Sequence, residues 1–121
     1  MKKRKNLFAI VISVFLVTTV NVDIAAMQRN SNNTEAEFKV SGLCGMCTTR
    51  IENAARSVRG VRSASYSLEE QKITVVFRSD RTNLEEIEKA IAKVGHDTEN
   101  VKADDETYEN LHHCCKYPRT L

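Results

Sequence analysis

Polar and apolar residues alternate in four short stretches of the chain, which predicts four β-strands. The stretches cover residues 37–40, 61–68, 72–77 and 96–102. The alternation is weakest in the last stretch, so the fourth strand has the least support. Polar residues 69–71 separate the second and third strands, which predicts a turn between them.

Two longer stretches repeat apolar residues every three or four positions, which predicts two amphipathic helices. The apolar face of the first helix consists of Ile51, Ala54, Ala55 and Val58. The apolar face of the second consists of Leu84, Ile87, Ala90, Ile91 and Val94. Gly60 and Gly95 are predicted to end the two helices, because glycine is common just after a helix. Thr82 and Glu85 have capping-box spacing, which places the start of the second helix there.

The order of these elements is strand, helix, strand, strand, helix, strand. It predicts an α+β fold of the ferredoxin-like βαββαβ type, in which two helices cover one face of a four-stranded antiparallel sheet. This domain is expected to span residues 37–103. Residues 104–121 are predicted to form a short Cys/His-rich tail after it. The total of 121 residues allows one small domain at most.

Residues 1–26 have the layout of a secretory signal peptide. The basic residues 2–5 precede the almost entirely apolar residues 7–20, and two alanines at 25–26 supply a small-residue pair. The chain is therefore expected to be exported, into the periplasm if the cell is Gram-negative, with residues 27–36 as a flexible spacer. An uncleaved N-terminal anchor is the alternative, although the apolar run is shorter than the roughly 20 residues of a spanning helix.

The charge of the chain gives no indication of a nucleic-acid partner. The sequence has 18 Lys and Arg against 16 Asp and Glu, for a net charge of +2. Much of the basic excess lies in the predicted signal peptide, so the mature protein is nearly neutral. Binding to nucleic acid or to an anionic membrane surface favours a basic excess. We therefore expect neither partner, and we expect the mature protein not to be embedded in a membrane.

The candidate chemistry lies in the loop before the first helix, where Cys44 and Cys47 form a Cys-x-x-Cys motif. Two intervening residues let both sulfurs converge on one point, either on a metal ion or in a small disulfide ring. Cys47 falls in the first turn of the helix, where unpaired N–H groups favour a thiolate. Two thiolates with few other donors favour a soft ion such as Cu(I) or Hg(II) over a closed zinc site. The spacing alone leaves metal-binding, redox and structural roles about equally open.

Several separated motifs accompany the two cysteines. They are Ile51-Glu52-x-Ala54, Gly60-Val61-x-Ser63-Ala64, Ile73 with Val75, and Ala90-Ile91-x-x-Val94-Gly95. Together with the Cys-x-x-Cys motif, they resemble the heavy-metal-associated domain family over about residues 37–103. This family contains small copper chaperones, metal-binding modules of P-type metal ATPases and the periplasmic mercury-binding protein. The resemblance implies a βαββαβ fold and a surface site that passes a soft metal by thiolate exchange, with Cys44 and Cys47 as its ligands.

Three positions near the motif bear on the geometry of the site. Leu43 precedes Cys44 where the family usually has Gly-Met-x-Cys with a buried Met, so either Leu43 fills that space or the loop is one residue tighter. Met46 is expected to pack within the loop, with a thioether contact to Cu(I) as the alternative. His96 lies beside the metal loop in the resembled fold. It is a candidate accessory ligand or proton-linked gate, and the alternative is an exposed His at the start of a strand.

The predicted tail contains a dense group of metal-binding residue types, the consecutive His112, His113, Cys114 and Cys115. A short helix is expected to start before them at residues 104–106. Adjacent cysteines rarely pair with each other because the ring is strained. Three interpretations stay open: the group completes or caps the loop site, forms a second site, or makes disulfides in an oxidising compartment. His113, Cys114 and Cys115 are therefore candidate accessory ligands.

The motif and the resemblance together predict a non-enzymatic protein that binds a soft metal, as a metallochaperone or a sequestration protein. Cu(I) is the favoured ion, with Hg(II), Zn(II) and Cd(II) as alternatives, and the expected partner is a metal efflux ATPase or another efflux-system component. The first alternative function is a periplasmic thiol–disulfide oxidoreductase that uses Cys44 and Cys47. The cis-Pro that such folds need is missing, because the only proline is Pro118 in the tail. The second alternative is a disulfide-stapled interaction domain.

Overall fold

A computed structural model describes residues 32–121, so the predicted signal peptide at 1–26 lies outside the described residues. The helices and strands are β1 (Asn33–Lys39), α1 (Gly45–Ser57), β2 (Val61–Ser67), β3 (Lys72–Arg78), α2 (Leu84–Lys93) and α3 (Asp105–Glu109). A single 3₁₀ turn at His113–Cys115 follows α3. Within residues 32–121, no helix is both long enough and apolar enough to cross a membrane.

The three strands form one antiparallel sheet with β3 in the centre, flanked by β1 and β2. Ile73 of β3 pairs with Phe38 on one side and with Tyr66 on the other. Every second residue of β3 is buried, as the alternation of apolar residues predicts. The sheet therefore has one buried face, which carries these apolar side chains.

The buried face of the sheet and the two main helices form one hydrophobic core. The strands contribute Phe38, Ala64, Tyr66, Ile73, Val75 and Phe77, and the helices contribute Cys47, Ile51, Ala54, Ala55, Ile87 and Ile91. Because both helices pack into a single cluster with that one face, the predicted α+β, ferredoxin-like arrangement is confirmed.

The predicted fourth strand at residues 96–102 is reduced to a single β-bridge between Val40 and Thr98. Two backbone hydrogen bonds flank the bridge, from the Ser41 N–H to the Asp97 carbonyl at 2.9 Å and from the Glu99 N–H to the Lys39 carbonyl at 3.0 Å. The chain then turns, because the Thr98 N–H donates to the Val101 carbonyl at 2.8 Å. The sheet among residues 32–121 thus has three strands, and the four-strand prediction is corrected to three strands and a bridge.

The predicted spacer at residues 27–36 is corrected at its end, because β1 begins at Asn33. Residues 27–31 lie outside the described residues. Residues 33–36 pair with residues 75–78 at the end of β3, with Ala36 opposite Val75. Their side chains are polar or small and mostly exposed, so the sequence carries no apolar alternation there. Backbone hydrogen bonds form the ladder without requiring that alternation.

Helix α2 is capped by Asn83, one residue later than the predicted capping box at Thr82. The Asn83 side chain accepts a hydrogen bond from the Glu86 N–H at 3.0 Å. Replacing Asn83 with alanine should therefore lower the free energy of unfolding by about 1 kcal/mol, measured by urea denaturation. Thr82→Ala is the matched control and should have a smaller effect. A larger loss of unfolding free energy for Thr82→Ala than for Asn83→Ala would support Thr82 as the cap, as the sequence predicts.

Candidate metal centre

The two cysteines of the motif lie at the junction between the loop after β1 and helix α1. Cys44 is the N-cap residue of α1, with an extended backbone, and Cys47 lies in the first turn. Cys44 is partly exposed, whereas Cys47 is completely buried among the core side chains. The pair therefore spans the boundary between solvent and core.

The loop before Cys44 is held in place by side chains from β2 and from the turn between β2 and β3. Gln71 makes two hydrogen bonds to Gly42: its Nε2 donates to the Gly42 carbonyl at 2.8 Å, and its Oε1 accepts from the Gly42 N–H at 3.0 Å. The Tyr66 hydroxyl donates to the Val40 carbonyl at 2.8 Å. A Cβ at Gly42 would lie 2.9 Å from that hydroxyl oxygen and 3.3 Å from Cys47 Cβ, so glycine allows the loop to approach the core closely.

The tail brings two further thiols to the loop. Cys44 Sγ lies 3.7 Å from Cys47 Sγ, 3.6 Å from Cys115 Sγ and 3.8 Å from Cys114 Sγ. The Sγ atoms of Cys44, Cys47 and Cys115 all lie within 4.8 Å of one another. All four cysteines are free thiols. The sequence therefore folds into a group of four sulfurs, with Cys44 in contact with the other three.

The tail reaches this position because its apolar residues pack against the domain. Asp104 caps α3, whose first residue is Asp105, in agreement with the predicted start of a short helix at 104–106. Leu111 is buried against Gly95, where a Cβ would lie 2.8 Å from a Leu111 methyl carbon. Gly95 also has a positive φ of 102°, so glycine is required here both by the backbone and by the packing.

Tyr117 anchors the other side of the cysteine pair in the tail. Its side chain is 1% exposed, and its ring stacks on His96 at a centroid distance of 5.5 Å. The Tyr117 hydroxyl donates to the Gly95 carbonyl at 2.6 Å and accepts from the Asp97 N–H at 2.7 Å. The buried hydroxyl is thus fully hydrogen-bonded, as a buried Tyr requires.

An ion pair adds a second anchor beyond Tyr117. Arg119 forms a bidentate contact with the buried Asp97 carboxylate, from Nε to Oδ2 at 2.8 Å and from Nη2 to Oδ1 at 2.8 Å. Its Nη2 also donates to the Ala103 carbonyl at 2.6 Å. Burial raises the pKa of Asp97, but Arg119 and the Ala103 N–H outweigh it and hold that pKa below its usual value. Asp97 is therefore an ionised, paired carboxylate.

The two loop thiols differ in acidity. Hydrogen bonding by the Cys47 backbone N–H, at the start of α1, is the main cause that lowers the pKa of Cys44 to about 7. Burial raises the pKa of Cys47 to about 11. The sequence predicts the thiolate at Cys47, in the first turn, and the structure corrects this: the acidic thiol is Cys44, because Cys47 points into the core.

His96 does not belong to the group of three converging sulfurs. It is completely buried, and its Nδ1–H donates to the Ser41 carbonyl at 2.8 Å. Burial lowers the pKa of His96, so the ring stays neutral at pH 7. The alternative of an exposed His at the start of a strand is wrong, because His96 is buried. Through its hydrogen bond to Ser41, it supports the loop that carries the cysteines.

Three other candidate residues lie at the surface of the site. Leu43 and Met46 are 46% and 51% exposed, so neither fills the space of a buried loop Met. Met46 Sδ lies 3.8 Å from Cys114 Sγ. His113 is exposed, and its ring contacts that of His112 at a tilt of 34°. The His112 Nδ1 lies 3.1 Å from Cys114 Sγ.

The low pKa of Cys44 leads to a reactivity prediction. Its thiolate fraction should reach one half near pH 7, so iodoacetamide should alkylate Cys44 first, with a rate that rises through an apparent pKa of about 7. Mass spectrometry of singly alkylated peptides measures the site and the rate. Cys44→Ser is the control and should lose the fast phase. First modification at Cys47 would contradict the assigned acidities.

Two residues that support the site carry no signal in the sequence. Gln71 lies in a polar turn with a positive φ of 54° and clamps the metal loop from 29 residues away. Arg119 lies near the end of the chain and reaches Asp97, 22 residues earlier. Both contacts depend on the tertiary fold, and neither residue type nor local spacing indicates them.

The chain is similar to known metal-binding proteins. The family described as the heavy-metal-associated domain matches residues 37–97, about half of the chain. Copper-transporting ATPase 1 of Rhizobium meliloti is 39% identical over 74 residues, which cover 60% of this chain and 9% of that ATPase. The zinc/cadmium/lead-transporting P-type ATPase of Shigella sonnei is 30% identical over 81 residues, 66% of this chain and 11% of that protein.

The fold is shared with a solved structure that the matched region covers almost completely. The CopZ metallochaperone has a TM-score of 0.52 and 27% sequence identity, over 54% of this chain and 98% of that one. The ATPases, by contrast, match only over a small part of their length. The protein thus belongs to the heavy-metal-associated domain family.

Proposed function

We propose that this protein carries a soft metal ion, preferentially Cu(I), on Cys44 and Cys47 and transfers it to a metal-transporting P-type ATPase. The observation that carries the proposal is the pair of free thiols 3.7 Å apart at the start of α1, one partly exposed and the other buried. Thiolates bind soft ions tightly, and membership of the heavy-metal-associated domain family supports metal binding at this position.

The different acidities of the two thiols suit stepwise capture of the ion. Cys44 is partly exposed and its pKa is about 7, so its thiolate form offers the first ligand without a proton having to leave. Cys47 binds second and releases its proton as it does so, because a metal ligand must be deprotonated. Transfer reverses the order: an incoming thiolate of the partner replaces one ligand at a time.

The preference for Cu(I) is supported by the donor atoms. The converging group of Cys44, Cys47 and Cys115 contains only sulfur, with no carboxylate and no imidazole. Sulfur alone favours soft ions, whereas Zn(II) and Cd(II) usually fill four positions. Copper-transporting relatives support the same choice, and the zinc/cadmium/lead-transporting relative makes divalent ions the alternative cargo.

We place the protein outside the cytoplasm, on the signal-like layout of residues 1–26. An exported carrier would present its ion to an efflux system or sequester it, and would act by binding and not by catalysis. Leu43 and Met46 support docking of a partner, because these two exposed apolar side chains flank the thiols. A docked partner would cover them and bring its own cysteines to the ion.

A transfer experiment tests the carrier function. The reduced protein is loaded with one equivalent of Cu(I) under anaerobic conditions and mixed with an isolated Cys-x-x-Cys module of a copper-transporting ATPase. After separation, copper should be found on both proteins within minutes, in amounts set by their affinities. The control mixes the same amount of Cu(I), in glutathione-free buffer without the carrier, with the ATPase module. Copper that stays entirely on the loaded protein, with a vacant acceptor, would show a sequestering protein and not a carrier.

A further inference from the structure

The third sulfur at the site comes from the tail and not from the Cys-x-x-Cys loop. Cys115 is completely buried, and its Sγ lies 3.6 Å from Cys44 Sγ. It belongs to the same group as Cys47, in which all three sulfurs lie within 4.8 Å of one another. Cys115 is therefore built into the core beside the loop pair.

The spacing of these sulfurs suits a single ion. A metal–thiolate bond is about 2.3 Å long, so sulfurs around a trigonal ion are about 4.0 Å apart, and sulfurs on either side of a linear ion are about 4.6 Å apart. Cys44 Sγ lies 3.7 Å from Cys47 Sγ and 3.6 Å from Cys115 Sγ. Small outward shifts would produce the trigonal arrangement, whereas a linear ion between Cys44 and Cys47 requires a larger separation.

Anchors on both sides fix Cys115 in this place. Leu111 packs on Gly95 before it, and Tyr117 is buried and hydrogen-bonded after it. A short tail segment held at both ends presents its thiol at low entropic cost, since the positions are set before the ion arrives.

A positive charge lies next to the same thiol. Burial raises the pKa of Cys115, and hydrogen bonding with the Cys47 thiol and, more weakly, with the Arg50 side chain opposes that rise. Among residues 32–121, Arg50 Nη1 is a buried nitrogen without a hydrogen-bond partner. Three thiolates and one Cu(I) carry a net charge of −2, which this guanidinium and the N-terminus of α1 would offset.

We propose that Cys115 is the third sulfur ligand of the ion held by Cys44 and Cys47. The inference rests on the proposed function and deepens it. Binding of Cu(I) by the three sulfurs forms three metal–sulfur bonds, with no change of oxidation state. It releases to solvent the protons that the thiols still carry, those of Cys47 and Cys115 and the remaining fraction on Cys44. The tail is thereby a part of the metal site, and the partner must displace Cys115 as well as the loop thiols during transfer.

Cys114 provides a matched comparison one residue away. Its Sγ contacts Cys44 and Cys115 at 3.8 Å each, and it is partly exposed. It is not a member of the compact group that includes Cys47. Replacing Cys114 with serine should therefore leave the three-sulfur site in place, whereas the same replacement at Cys115 should remove one ligand.

X-ray absorption of the reduced, full-length protein with one equivalent of Cu(I) tests this assignment. The wild type and Cys114→Ser should show three sulfurs around copper, and Cys115→Ser should show two. Competition against a chromogenic Cu(I) chelator should show that Cys115→Ser binds Cu(I) at least ~10- to 100-fold more weakly than the wild type. That range is the usual loss when a residue that only contacts a metal ligand is removed, and a direct ligand should cost no less. Circular dichroism of each apo variant checks folding.

The wild-type sulfur count decides the matter even if Cys115→Ser does not fold. Two sulfurs around copper in the wild type would overturn the role of Cys115 and leave the carrier function intact. A loss of affinity in Cys114→Ser that equals the loss in Cys115→Ser would also overturn it. Failure of the wild type to bind Cu(I) at all would contradict the proposed function itself, so the two failures are distinguishable.

Discussion

Replacing Arg119 with alanine is expected to lower the free energy of unfolding by about 3 kcal/mol. The reason is the Asp97 carboxylate, which is completely buried and would lose both hydrogen bonds of the bidentate contact. One hydrogen bond from the Ala103 N–H remains, at 2.8 Å. A buried charge with a single neutral donor is costly, because the protein interior does not solvate it. Urea denaturation of the apo protein measures the effect.

Lys89→Ala is the matched control for that experiment. Lys89 forms an exposed i, i+4 ion pair with Glu85 on α2, and exposed pairs of this kind contribute only about 0.3–0.5 kcal/mol. A second variant removes both charges of the pair, Asp97→Asn with Arg119→Gln, and should recover part of the loss. An Arg119→Ala effect no larger than that of Lys89→Ala would show that the tail is not anchored by this pair.

Replacing Cys44 and Cys47 together with serine is expected to weaken Cu(I) binding on the order of 10⁴-fold. A four-ligand zinc site binds with an apparent 10–16 kcal/mol, or about 3 kcal/mol per ligand, and 1.4 kcal/mol corresponds to a factor of ten. Two lost thiolates therefore cost about 6 kcal/mol. Competition with a Cu(I) chelator under anaerobic, reducing conditions measures the change.

The double variant should keep its fold, which makes the result interpretable. Serine is a preferred N-cap residue, so Ser at position 44 can cap α1. Cys114→Ser serves as the control for the loss of a thiol outside the motif. Undiminished binding by the double variant would place the ion on the tail cysteines and contradict the assignment of the loop.

The parts of the fold that the sequence predicts are those with local patterns. The helices α1 and α2 follow from apolar residues at helical spacing, and β2 and β3 follow from alternation. The sequence does not predict the start of β1, because the first residues of this strand are polar or small and pair through the backbone alone. The prediction of a fourth strand is wrong for a related reason. At Thr98 the backbone N–H donates to the Val101 carbonyl and not to a neighbouring strand, so the chain turns.

The candidate site shows the same division between local and tertiary information. Its motif, Cys44 and Cys47, is local and visible in the sequence. The position of Cys115 depends on Tyr117 and on the Arg119–Asp97 pair, contacts between residues about 20 positions apart. The sequence therefore suggests a role for the tail cysteines but leaves three arrangements open, and only the packing of the tail brings them to Cys44.

The acidity of the two thiols is a further case in which burial decides. The position of Cys47 in the first helical turn favours a thiolate, but complete burial raises its pKa to about 11. Cys44 combines partial exposure with the N–H groups at the helix start, and its pKa falls to about 7. Sequence position indicates the helix terminus, whereas burial depends on how the loop turns.

The most direct test of the account is a Cu(I) titration of the freshly reduced wild-type protein, without oxygen, against a competing chelator. The account predicts that the protein takes one equivalent of Cu(I) from the chelator. It also predicts that iodoacetamide no longer alkylates Cys44 once the protein is loaded. No uptake of Cu(I), repeated with Hg(II) and Zn(II), would contradict the claim that these sulfurs hold a soft metal ion.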